Sequence, residues 1–148
     1  MGERHGQIGF DLGYELASWI KPRNLGQLYT SDTNFVLARD PLVVVKPDIA
    51  FVRAERRTDE VRGDGSVPIA PDLAVEVVSP TNREGDIRDK IARYLLAGVP
   101  LVWVLRPRRR TITVHGPGRA PIVLGEDGEL AGGDVLPGFR LSVAAIFK

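Results

Sequence analysis

Apolar residues recur at Ile8, Leu12, Leu16, Trp19 and Ile20. Spacings of three and four residues line one face of a helix, and the pattern predicts one over 6–20. Lys21 and Pro22 are expected to end it, because proline cannot continue a helix and restricts the residue before it. Asp11 and Glu15 fall on the polar face, where solvation accounts for them. The pattern then becomes short and β-branched. Gln27–Tyr29 and Asn34–Leu37 read as strands joined by the polar turn Thr30–Thr33, and Asp40–Pro41 as a further turn. Leu42–Val45 and Ile49–Val52 are strands separated by Lys46, Pro47 and Asp48. Arg53–Pro68 is charged and without period, which predicts a surface loop.

Leu73–Val78 is apolar throughout except for Glu76, as expected of a strand buried on both faces. After a turn at Thr81–Gly85, the residues Ile87, Ile91, Tyr94 and Leu95 mark a helix over Asp86–Ala97, with Gly98 placed for a left-handed cap. Val99–Leu105 and Thr111–His115 flank the turn Pro107–Arg110 and predict a hairpin. A short strand at Ile122–Leu124, an acidic glycine-rich turn at Glu126–Gly133 and a short helix at Val143–Phe147 complete the order. Helix, strands, helix, strands predicts a mixed α/β fold, and 148 residues is the size of one domain, 1–148.

Composition narrows the chemistry. Hydrophobic residues make up 43% and charged residues 26%, which excludes disorder over most of the chain. No apolar run approaches the ~20 residues of a membrane helix. MGERHGQIGF holds no apolar signal core, so a cytoplasmic location is expected. The absence of cysteine excludes thiolate metal sites, and two distant histidines, His5 and His115, argue against a histidine-rich one. Any bound metal should be a hard, oxygen-ligated cation such as Mg²⁺ or Mn²⁺. A net charge of +1 allows a nucleic-acid partner without announcing one.

Glu76 is the most informative residue. On a strand, Ala74, Glu76 and Val78 point to one face and Leu73, Val75 and Val77 to the other. An ionised carboxylate among valines costs several kcal/mol unless it is bound to metal or paired with an Arg or Lys. Asp48 opens another apolar strand, a position aspartate also takes as a turn former. Asp72 lies four residues before Glu76, about 13 Å along the strand, too far to share one ion with it. Asp86, Lys90 and Tyr94, at i, i+4 and i+8, form a stripe on the helix that follows, from which Lys90 can lean towards Glu76. Two carboxylates and a lysine are the minimum for metal-assisted phosphodiester hydrolysis, the lysine orienting water or stabilising the anionic transition state. Arg106, Arg108, Arg109 and Arg110 form a basic turn that either contacts DNA phosphates or is a solvated hairpin tip.

Pro47–Asp48, then EVVSP at Glu76–Pro80, then Asp86, Lys90 and Tyr94 with Gly98–Val99, resemble in their order the Uma-type family of restriction-type endonucleases, part of the PD-(D/E)XK superfamily. The resemblance continues through Val102–Trp103–Val104 to VLPGF at Val135–Phe139. It implies a restriction-endonuclease-like mixed sheet flanked by helices, with Asp48 and Glu76 as metal ligands. The superfamily lysine usually follows the acid by two residues, where Val78 stands; the Uma-type pattern implies Lys90 on the next helix instead. His5 and Gln7 resemble a His-Gln pair of the family with Gly6 inserted. Tyr14–Glu15–Leu16 resembles a string that members carry ahead of the first helix, and Arg106–Pro107 stands where members often have Asp-Pro. The implied activity is Mg²⁺- or Mn²⁺-dependent cleavage of DNA by a homodimer, with Val99–Leu105 and the C-terminal segment as the expected contact surface. The alternatives are a catalytically inactive nuclease fold serving as an interaction module and a small-molecule phosphodiesterase using the same site.

Overall fold

The computed structural model describes residues 2–57 and 65–148. Helix α1 (Glu3–Arg23) leads into β1 (Gly26–Thr30), β2 (Phe35–Ala38), β3 (Val43–Val45) and β4 (Ile49–Arg53), followed by a short 3₁₀ turn at Ala54–Arg56. Then come β5 (Leu73–Val77), α2 (Glu84–Leu96), β6 (Leu101–Arg106), β7 (Thr111–His115), β8 (Ile122–Leu124), β9 (Glu129–Ala131), β10 (Arg140–Ser142) and α3 (Val143–Ile146). The main sheet is mixed, in the order β1-β4-β5-β6-β7-β8, with β5 and β6 parallel and the other neighbours antiparallel. Ribbons β2–β3 and β9–β10 stand beside it.

Side-chain alternation divides the core into two layers. Ile49, Phe51, Leu73, Val75, Val77 and Trp103 face α1 and the C-terminal segment, where Trp103 stacks on Phe139 at 6.1 Å. Ala50, Val52, Ala74, Val102 and Val104 face α2 and the β2–β3 ribbon. The expected α/β architecture is therefore present, with β5 and β6 buried on both faces at its centre.

Several boundaries differ from the reading of the sequence, each for a local reason. Helix α1 starts at Glu3, before its apolar stripe, and carries Pro22 in its last turn. The missing N–H of Pro22 falls at the exposed end, where Arg23 folds back over the Trp19 ring at 3.4 Å and Asn24 closes the helix in a left-handed conformation. Helix α2 begins at Glu84 and so takes in Gly85. Its end is a Schellman cap, with Gly98 N–H donating to Leu95 and Val99 N–H to Tyr94. The expected turn at Glu126–Gly133 contains β9, whose single buried residue, Leu130, gives no alternation to read. Of the expected loop at Arg53–Pro68, residues 58–64 lie outside the described residues, while Val67 is buried and bridges Phe35. The strand expected to offer a dimer surface, Val99–Leu105, is interior instead: Trp103, Val104 and Leu105 have no exposed surface.

Candidate active site

The β4–β5 register pairs Ile49 with Val75, and one further step sets Asp48 beside Glu76. Directly opposed residues on neighbouring strands bring their Cβ atoms within about 5 Å. The Asp48 N–H donates to the Val75 carbonyl at 3.0 Å, and the Val77 N–H donates to Asp48 Oδ2 at 2.7 Å. Asp48 is thus fastened at the end of β5, where the strand leaves the sheet. Its remaining oxygen, Oδ1, accepts no hydrogen bond from a described residue.

Glu76 faces α2, as alternation required. Lys90 Nζ donates to its Oε1 at 3.3 Å and Tyr94 Oη to its Oε2 at 2.5 Å. The stripe at i, i+4 on α2 therefore closes over the carboxylate. Burial pushes the Glu76 carboxyl from 4.5 up to about 7; Lys90 and the Tyr94 hydrogen bond oppose that rise and Asp48 adds to it. Burial and the neighbouring Glu76 push the Tyr94 phenol up as well, so it remains a proton donor. Lys90 keeps 40% of its side chain exposed, enough to reach a ligand as well as Glu76.

Asp48, Glu76 and Lys90 line one cavity of about 220 Å³, together with His5, Lys46 and Asp86. The three residues singled out in the sequence are brought to one place. His5 arrives from α1, with Nε2 3.5 Å from Asp48 Oδ2. Lys46, next to the Pro47–Asp48 pair, carries no periodic signal, and the bond from Tyr94 was latent in the helical stripe. Asp72 stands apart, accepting from the Arg53 N–H at 2.8 Å and from Arg56 at 2.9 Å. Of the basic turn, Arg106 pairs with Glu84 at 2.5 Å and Arg110 with Glu126, leaving Arg108 and Arg109 in solvent.

Among the described residues, no three His, Asp or Glu side chains gather around one point. Two carboxylates still suit Mg²⁺, which keeps several waters and takes one or two carboxylates together with substrate phosphate. The donor chemistry fits on both sides. Oδ1 of Asp48 has open lone pairs, and each Glu76 oxygen retains one beyond its present hydrogen bond.

A family model described as "Uma2: Putative restriction endonuclease" matches residues 1–144. No match was found among curated proteins. Among solved structures, a "putative nuclease belonging to DUF820" from Anabaena variabilis ATCC 29413 superposes with a TM-score of 0.84 at 20% identity, over 99% of this chain and 82% of that one. At that identity the likeness speaks for the fold, which the two chains share.

Proposed function

The chain belongs to the Uma2 family of restriction-type endonucleases, and from that premise we propose that it hydrolyses DNA phosphodiester bonds with a divalent cation held by Asp48 and Glu76. The observation that carries this reading is Glu76 itself. A carboxylate raised to about 7 by burial, in one cavity with Asp48 and Lys90, is poorly served by the apolar strand around it. A structural ion pair alone needs no second acid there, and Asp48 adds to the repulsion.

Mg²⁺ or Mn²⁺, when bound, lowers the pKa of a water and screens phosphate charge. The chain's own groups do the rest. The Val77 N–H fixes the angle of Asp48, and Tyr94 holds Glu76 through Oε2. Lys90 brings positive charge to the cavity, where it can orient water or stabilise an anionic transition state. A cut through both strands needs two such cavities, which a homodimer supplies.

Supercoiled plasmid incubated with Mg²⁺, with Mn²⁺ or with EDTA tests the proposal. Wild type is expected to nick or linearise it only with metal. Asp48→Asn, Glu76→Gln and Lys90→Ala should each reduce the rate by about 10²-fold or more. Wild-type cleavage undiminished in EDTA, or retained by Glu76→Gln, would refute it.

A further inference from the structure

Because β5 and β6 run parallel, both leave the sheet at the same end. The turn after β5, Ser79–Asn82, and the turn after β6, Pro107–Arg110, therefore stand side by side. Together with the first turn of α1 they enclose a cleft of about 480 Å³, lined by Arg4, Arg106, Arg108 and Arg109 with Ser79 and Asn82. The cleft adjoins the carboxylate cavity, for His5, Val78, Ser79 and Asn82 line both.

Its charge is of the opposite kind. Arg106 is spent on Glu84, the one carboxylate among the described residues of the cleft wall. Arg4, Arg108 and Arg109 are exposed and make no ion pair with any described residue. Two helices also begin here. Gly2 caps α1 and Arg83 caps α2, neither with a side-chain hydrogen bond, so the first-turn N–H groups of both remain open to an acceptor. The carboxylate cavity sets Asp48, Glu76 and Asp86 against Lys46 and Lys90, whereas the cleft sets one carboxylate against four arginines, so without metal the stronger pull on a polyanion comes from the cleft.

We propose that this cleft is a phosphate-binding track, in which Arg4, Arg108 and Arg109 hold the backbone phosphates flanking the scissile one in a DNA strand. The proposal rests on the endonuclease reading and assigns its substrate a path across the surface. Guanidinium groups meet phosphate oxygens in bidentate pairs, and such pairs position a strand without reading its sequence.

Binding of a fluorescein-labelled DNA duplex, followed by anisotropy in EDTA between 50 and 200 mM KCl, tests the track without cleavage. The parent is the Glu76→Gln protein. Adding Arg108→Ala and Arg109→Ala is expected to weaken binding at least tenfold at 100 mM KCl. The slope of log affinity against log salt should fall by about 1.8, at about 0.9 for each phosphate no longer neutralised. Arg4→Gln, on the opposite wall, should reduce the slope by about half as much, and it tests the cleft independently should the double variant fail to fold. Arg88→Ala with Arg93→Ala, exposed on α2 and outside the cleft, removes the same charge and should stay within about twofold of the parent. No binding by the parent, binding unaffected by the cleft variants, or an equal weakening in the α2 control would each overturn the track. Cleft-dependent binding by a chain whose wild type cuts no DNA with either metal would sink the nuclease reading and leave the track standing.

Discussion

At the scale of single residues, Glu76 links stability to pH. Its folded-state pKa, about 7, lies above the ordinary 4.5, so between those values the folded chain holds a proton that the unfolded chain releases. The stability this lends is complete below about pH 4.5 and is lost as pH rises through 7, a span of about 3 kcal/mol at most. In EDTA, Glu76→Gln is expected to flatten that slope. It should match wild type near pH 5 and be about 2 kcal/mol more stable at pH 8, a difference that already contains the attraction of Lys90, since that attraction helps set the Glu76 pKa. A purely architectural ion pair would give the opposite sign, a loss of about 3–5 kcal/mol. With Mg²⁺ at ten times its dissociation constant, wild type should gain about 1.4 kcal/mol and the variant much less. Melting curves across pH, with and without metal, check all of these. Glu76 was legible because a charge interrupts an apolar run. The approach of His5 was not readable from spacing, because it depends on where α1 docks, and no periodicity reports docking.

At the scale of elements, the turn from α1 into β1 is sterically closed. Gly26 has φ +155°, and a Cβ there would meet the Val52 carbonyl oxygen at 2.1 Å. Gly26→Ala is expected to cost about 2–3 kcal/mol in urea unfolding. Leu16, fully buried on α1, should cost about 2–5 kcal/mol as alanine. Elements with strong periodicity, α1 and α2, and the apolar runs of β5 and β6 could be read directly. The ribbon β9–β10 could not, since its pairing of Leu130 with Leu141 joins segments that each look like loop. Nor could the pairing of β1 with β4 rather than with β2, which sequence proximity does not decide. The same limit made Val99–Leu105 look like a surface for association: an apolar run signals burial without saying whether the chain itself or a partner provides it.

At the scale of the whole molecule, the homodimer proposed above would have to use what the fold leaves outside. Strand β8 is a sheet edge whose Ile122 and Val123 are 57% and 66% exposed, the kind of edge that invites pairing. Light scattering at micromolar concentration is expected to give a dimer mass, and Ile122→Lys with Val123→Lys to shift it towards the monomer. A wild-type monomer would remove the two-cavity account of double-strand cutting. The burial of α1 carries a different consequence, for the chain during its synthesis. Ile8, Leu12, Leu16 and Ile20 share their apolar layer with Val143, Ile146 and Phe147, so the helix that brings His5 to the cavity lacks part of its seat until residues 143–147 have emerged and packed. Loosening that seat, as with Phe147→Ala, should therefore free His5 from Asp48 while β4, β5 and α2 still hold Asp48, Glu76 and Lys90 around one cavity.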